Sequence, residues 1–363
     1  MTHLNELYLI LNKYLKWNKS HLKCFALIML VIILKQTCNL SSASKALPIK
    51  CLPQSFYRRM QRFFAGQYFD YRQISQLIFN MFSFDQVQLT LDRTNWKWGK
   101  RNINILMLAI VYRGIAIPIL WTLLNKRGNS DTKERIALIQ RFIAIFGKDR
   151  IVNVFADREF IGEQWFTWLI EQDINFCIRV KKNFIVTNHL GKNHKISDLF
   201  RHLKVGQIEC RKRRILVGRV KLYISALQLE NGELLLVVSP QFNANAIQDY
   251  ALCWEIETLF SCLKGRGFNL ENTRLTDPRR VKKLIAGLAI SFCWCYLTGE
   301  WQHDQKKAIK IKKHGRLSMS LFRYGLDYVQ MAIQRLIGFG KKEEFKEILA
   351  ILRRQNPDRI RVL

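Results

Sequence analysis

Through residues 1–80 apolar positions recur at helical spacing and nothing alternates as a strand would, so this region is expected to be helical. Within it "ILKQTCNLSSASKALP" (33–48) predicts helix, short turn, helix, an order that permits a helix-turn-helix and any small bundle alike. The period changes at 84. In "QVQLTLD" Val87, Leu89 and Leu91 alternate with Gln86, Gln88, Thr90 and Asp92, the pattern of a half-buried strand with Asp92 last on its polar side. Apolar strands are expected at about 103–112 and about 115–124, joined through "RG". A helix then opens at a capping box, Asp131 with Glu134, and carries Ile136, Ile139, Phe142 and Ile143 toward Gly147. "RIVNVFADREF" is a continuous apolar strand ending at Asp157, and a helix (about 160–171) and a strand (about 174–181) close the block. Short alternating segments rich in Lys and Arg follow to about 240, and a further helix is expected from near Asn245.

A three-strand meander, a helix and a buried strand form the order of an α/β, ribonuclease-H-like catalytic core. The expected organisation is a helical, DNA-binding region (1–80), the first part of the core (84–181), a β-rich insertion (182–242), the second part of the core (243–300) and a basic helical C-terminal region (301–363). That order puts Asp92 and Asp157 side by side at the ends of the first and fourth strands, where chemistry collects in open α/β sheets.

A third acid is sought in "DYALCWEIETLFSCLKGRGF" (249–268), which carries two glutamates. At about 100° per residue Leu252, Ile256, Leu259 and Leu263 form the buried stripe, and Cys253, Glu257 and Lys264 fall in a narrow band with Tyr250. Glu255 falls on the far side of that stripe, so periodicity selects Glu257. Three carboxylates facing one another repel, and hard divalent cations such as Mg²⁺, with Mn²⁺ as substitute, relieve them. Two such ions about 4 Å apart can activate a water or hydroxyl and stabilise the leaving oxygen of a phosphoryl transfer. Ordinary surface salt bridges are the alternative in a chain so rich in basic residues.

Composition narrows the partner. Against 28 acidic residues stand 59 lysines and arginines, a formal charge of +31 spread along the chain, and nucleic acid is the first polyanion to consider. The nine cysteines form no C-x-x-C pair, and most sit in apolar runs, as reduced thiols of a cytosolic protein do. Cys293, Cys295 and His303 lack the spacing of common zinc sites and fit core packing better. The apolar stretches Cys24–Leu34 and Leu284–Leu297 fall short of the roughly 20 residues that span a bilayer, so no membrane partner is expected.

Tyr250, Glu257 and Lys264 together resemble the Y-x2-R-x3-E-x6-K signature of DDE transposases of bacterial insertion sequences, in the insertion sequence four family. "LDRTNWKWG" (91–99) is similar to that family's first aspartate motif, "FADREF" (155–160) to its second, and "FYRRMQRFF" to the text before the core. The resemblance covers roughly 55–330. It implies a transposase of the bacterial cytoplasm, nucleoid-associated, with Asp92, Asp157 and Glu257 as metal ligands and Tyr250 and Lys264 on DNA phosphates. The implied reaction is cut-and-paste transposition: end nicking, hairpin formation and opening, then strand transfer. Implied partners are double-stranded DNA with terminal inverted repeats, target DNA, and a second copy of the chain in the DNA complex.

Two departures stand out. The signature's arginine is Cys253 here, a small neutral thiol in place of a planar charged clamp. One base change makes that substitution, so decay of this copy is a reading to test; Lys97, Arg101 and Arg158 are neighbouring candidates to replace the clamp. The insertion also lacks the tryptophan on which hairpin-forming relatives stack a flipped base, leaving Phe184, Phe200, Tyr223 and Phe242. The competing functions are a ribonuclease-H-like nuclease without strand transfer, and a catalytically impaired remnant that only binds DNA.

Overall fold

The computed structural model describes residues 2–47, 51–187, 191–313 and 315–353. Of the expected regions, the tail at 354–363 and Pro48 lie outside them. The chain divides into two compact units: Met1–Phe84 with Trp96–Ile103 and Leu259–Leu363, and Asp85–Asn95 with Asn104–Thr258. The first is helical; the second carries the sheet.

The helical unit begins with α1 (Thr2–Tyr14), α2 (Lys19–Lys35), α3 (Leu40–Ala43), α4 (Pro53–Gly66) and α5 (Tyr71–Phe82). Asn18 caps α2 by accepting from the His21 N–H, and Asn39 caps α3. The second helix expected in 33–48 is only the four residues of α3, too short to be the recognition helix of a helix-turn-helix. Trp17, Phe25, Phe63 and Phe69 form one aromatic cluster that joins α2, α4 and the chain around them.

The sheet unit follows the expected order: β1 (Val87–Trp98), β2 (Arg101–Tyr112), β3 (Ile115–Leu123), α6 (Thr132–Phe146), β4 (Ile151–Ala156), α7 (Glu163–Glu171) and β5 (Phe176–Arg179). The turn between β2 and β3 places Arg113 (φ 48°) and Gly114 (φ 83°) in the left-handed region, the two-residue geometry that matches strand twist. Pro118, which cannot donate to a ladder, sits in β3 opposite a register shift in β2 and on the outermost strand, where its missing N–H is tolerated. Asp131 and Glu134 form the complete capping box of α6.

Short strands then extend the sheet: β6 (Ile185–Thr187), β7 (Asn193–Lys195), β8 (Ile208–Cys210), β9 (Ile215–Val217), β10 (Val220–Gln228) and β11 (Leu234–Ser239). The order along the sheet is β3-β2-β1-β4-β5-β11-β10-β9-β6-β7, with β8 on β10. β2 and β3 are antiparallel, whereas β4 runs parallel to both β1 and β5. The architecture is mixed α/β with a large central sheet, and the order 3-2-1-4-5 is that of a ribonuclease-H-like core.

After β11 come α8 (Ala246–Ala251), a 3₁₀ turn at Leu252–Trp254 and α9 (Glu255–Leu263). The expected continuous helix from Asn245 is thus broken; a 3₁₀ step turns faster than 100° per residue. The chain returns to the helical unit with α10 (Pro278–Gln305), α11 (Leu321–Phe339) and α12 (Glu343–Arg353). By length and mean hydropathy α10 matches a membrane span, yet 89% of its apolar window is buried inside the protein, as in a core helix. Cys293 and Cys295 are buried on it, and His303 accepts from the Ile309 N–H, so the three residues serve packing and local structure.

Candidate active site

Strand register builds this site. Leu91 of β1 pairs with Ala156 of β4, and Ala156 pairs with Ile178 of β5. One residue further along each strand stand Asp92, Asp157 and Arg179. β1 itself continues to Trp98, so Asp92 lies inside the strand and not at its end as the alternation suggested. Asp157 directly follows the last residue of β4, as expected.

Asp92 is held up to about 7, first by burial and then by the negative charges of Glu159, Asp157 and Glu257, against a lowering hydrogen bond from the Arg93 backbone. The acids selected from sequence therefore lie within electrostatic reach of one another. Asp157 accepts a hydrogen bond from the Tyr250 hydroxyl at 3.1 Å and lies 3.7 Å from the Arg179 guanidinium. Arg179 also pairs with Glu233 at 2.6 Å, and Arg158 reaches the same carboxylate at 3.4 Å. Glu159 is held by Arg93 through two 3.0 Å hydrogen bonds, and the same guanidinium reaches Asn104.

The two glutamates differ in role. Glu255 accepts from the backbone N–H groups of Tyr112 and Gly114, each at 3.0 Å, and so clasps the β2–β3 turn. Glu257 is exposed and contributes charge at Asp92. Tyr250 does not stand open on a catalytic face: its ring is fully buried among Phe155, Val237 and Ile247, and only its hydroxyl reaches the carboxylates. Burial first, then nearby negative charge, raises its phenol pKa, so it acts as a donor.

Cys253 is buried in the same cluster, and Thr90 donates to its carbonyl oxygen at 3.3 Å. Burial raises its thiol to about 12, which leaves it neutral at physiological pH. In the helical unit Lys264 pairs with Glu271 at 2.7 Å and lies over the Trp96 ring at 5.9 Å; Lys97 and Arg101 are exposed there. Of the insertion aromatics, Phe200 is buried beneath Arg211, whereas Phe242 is exposed and meets Tyr223 edge-on.

Carboxylate oxygens are the donors that hard divalent cations prefer, so the chemistry of Asp92, Asp157 and Glu257 suits Mg²⁺ or Mn²⁺. Among the described residues, however, no three acidic, histidine or cysteine side chains approach closely enough to hold one ion.

Residues 83–294, more than half of the chain, match the family described as the transposase DDE domain. The chain belongs to that family. The matched segment begins just before the first strand and ends within α10, so it contains every carboxylate described above. No curated protein matches this DDE-domain chain. Among solved structures it is similar to the cryo-EM structure of a piggyBac transposase synaptic complex with hairpin DNA, at 12% identity and a TM-score of 0.47 over 94% of this chain and 78% of that one.

Arg93, Glu159, Arg179 and Glu233 are the site residues that sequence reasoning missed. The signal for Arg179 was available: it ends the strand after Asp157, and a parallel pair in simple register puts the two residues side by side. Glu233 lies in a turn between strands, and no local pattern points from there to Asp157.

Proposed function

We propose that the chain is a cut-and-paste transposase of the insertion sequence four type, with Asp92, Asp157 and Glu257 as the acids of phosphoryl transfer. The observation that carries this reading is the parallel register that pairs Leu91 with Ala156, the residues just before Asp92 and Asp157, with Asp92 raised to about 7 by burial and by the other acids. On this reading Asp92, Asp157 and Glu257 would have to draw closer than they stand here to hold one or two divalent cations, which when bound supply Lewis-acid activation of phosphate and water. Tyr250 orients Asp157 through its hydroxyl, and Arg179 balances the charge of that carboxylate. Water is the nucleophile of the nick, and the freed 3′-hydroxyl is the nucleophile of hairpin formation and strand transfer. Inverted-repeat ends, target DNA and a second copy of the chain complete the reading, with the bacterial cytoplasm as its setting.

A second reading, a binding-only remnant, is favoured by the neutral buried thiol at Cys253 and by the spacing of the acids. One experiment separates the two. A labelled duplex carrying the inverted repeat that flanks the gene is incubated with the protein and Mn²⁺ or Mg²⁺. Nicks and hairpins that disappear in Asp92→Asn, Asp157→Asn and Glu257→Gln, with binding retained, support the transposase. Binding without cleavage by the unaltered chain supports the remnant, and cleavage that survives in a variant rejects that acid.

A further inference from the structure

The helical unit carries a cationic hollow that the carboxylate site does not use. Its volume is about 460 Å³, and Arg279, Arg280, Lys282 and Lys283 line it with Tyr68 and Tyr71. The four cations are consecutive or nearly so on the first turns of α10, and Arg279 and Arg280 are exposed. Two of them also meet neutral groups. The Lys282 ammonium lies 4.3 Å from the centre of the Tyr71 ring, and Lys283 donates to the Phe64 carbonyl at 3.0 Å. The acid of the lining, Asp277, is already occupied: it accepts from the backbone N–H groups of Arg279 and Arg280 and pairs with the Arg279 side chain at 3.2 Å. Burial first, then the charge of Arg279, lowers the affinity of Lys283 for its proton; the charge of Asp277 opposes this and Arg280 acts with Arg279. A cluster that strains its own protonation in this way gains when an anion enters.

The hollow has a neighbour. A smaller cavity of about 160 Å³ shares Asp277 and Arg280 with it and is lined further by Arg274, Ser41, Tyr57 and Gln61. Cations and neutral hydrogen-bonding groups thus succeed one another along one path, with the single carboxylate between them, Asp277, already engaged by Arg279 and the Arg280 N–H, as a chain of phosphates separated by sugars requires. Tyr68, 79% exposed at the rim of the larger hollow, offers a ring to the sugar or base beside a phosphate. A membrane surface would favour a flat or convex amphipathic face instead.

We infer that these two hollows bind the sugar–phosphate backbone of double-stranded DNA, with Arg280 between successive phosphates and Tyr68 against the strand. The inference rests on the transposase reading and adds a DNA contact carried by the helical unit.

The test uses the full chain carrying Asp157→Asn, so that DNA is bound and not cut, and a labelled duplex titrated at salt from about 50 to about 200 mM. Arg280→Gln with Lys282→Gln is expected to weaken binding at least tenfold and to reduce the slope of log affinity against log salt by about 2. Tyr68→Ala is expected to weaken binding several-fold without altering the slope, because the ring carries no charge. A control pair elsewhere in the unit, Lys341→Gln with Lys342→Gln, is expected to stay within twofold. Equal loss from the control pair, or no loss from the hollow pair, overturns the inference while leaving the transposase reading intact. Preference of the unaltered hollow for phosphatidylserine vesicles over duplex, abolished by the same pair, also overturns it. Failure of the Asp157→Asn chain to bind duplex at any salt sinks both readings. Thermal melting of each variant confirms folding, which these exposed and half-exposed positions should preserve.

Discussion

The hydroxyl of Tyr250 donates to Oδ1 of Asp157 at 3.1 Å, joining a buried ring after the insertion to the acid at the end of β4. The bond fixes one oxygen of a carboxylate that Arg179 approaches at 3.7 Å. Tyr250→Phe keeps the ring in its cluster and removes only the donor. A hydrogen bond to a carboxylate contributes about 1.5–3 kcal/mol net, so melting should fall modestly with folding retained. Cleavage should fall roughly tenfold or more, the size of effect that a misplaced catalytic group produces. Comparing single-turnover cleavage with thermal melting checks this; loss of folding with cleavage unchanged per folded molecule would make Tyr250 a packing residue alone.

Glu255 gives the opposite expectation. Its carboxylate accepts from Tyr112 and Gly114 across the β2–β3 turn, where both central residues hold positive φ. Glu255→Ala leaves two backbone donors without their acceptor and should destabilise the protein by about 2 kcal/mol, while Glu255→Gln loses less. Cutting by folded protein should be nearly unchanged in both. Urea denaturation followed by cleavage at matched folded fractions decides it, and a folded but dead Glu255→Gln would overturn the choice of Glu257.

Much of this site was legible because its signals are local. The alternation in Val87, Leu89 and Leu91, the capping box at Asp131 and the apolar run before Asp157 each reflect a periodicity or a hydrogen-bonding rule within a few residues. The continuation of β1 past Asp92 was not legible, since "RTNWKW" loses the clean alternation. The 3₁₀ turn at Leu252–Trp254 likewise left no mark on the wheel, because one tight turn hardly shifts the order of faces. Glu233 was out of reach altogether: it meets Arg179 only because β11 lies beside β5, a pairing set by the whole sheet.

Cys253 occupies the place of the signature's arginine, buried beside Tyr250 and coupled by charge to Asp92, Asp157 and Glu257. A guanidinium there would sit among negative charges, whose attraction offsets part of the penalty of burial. Cys253→Arg is expected to fold with a lowered melting temperature and to nick the labelled end at least tenfold faster. Equal rates would show the cysteine to be a tolerated variant. The neutral thiol also predicts slow alkylation: in native protein, mass spectrometry after iodoacetamide should find Cys51, which is exposed, labelled well before Cys253.

Acid sensitivity is expected at the start of α6. Asp131 accepts from the Glu134 N–H at 2.9 Å, and Lys126 bonds both acids. The Lys126 hydrogen bond first, then the Glu134 N–H, lowers the Asp131 pKa below its ordinary value of 3.8. A lowered folded pKa means that this contribution is present above 3.8 and is lost as pH falls through the folded value. Asp131→Ala should therefore cost about 1 kcal/mol at neutral pH and less near pH 3, whereas Asp131→Asn keeps the cap at both. Denaturation curves at the two pH values test the sign; an Asp131→Ala deficit that grows in acid would refute it.

The last expectation concerns the packing of α10 against α11. A Cβ added at Gly325 would stand 1.8 Å from the Cys295 carbonyl oxygen and 2.4 Å from the Gly299 nitrogen, and one at Gly299 would stand 1.9 Å from the Leu321 carbonyl oxygen. These neighbours are backbone atoms of buried helices, so no rotamer change relieves the clash; the two helices must separate. Overpacking a core costs about 1–3 kcal/mol where side chains can yield. Gly325→Ala should therefore reach or exceed the upper end of that range, and Gly299→Ala should behave alike. Because the residues lie on facing turns, the double variant should lose less than the sum, since helices already parted by one methyl accept the second. Urea denaturation of the four proteins measures this, and strict additivity of the two losses would reject the shared contact.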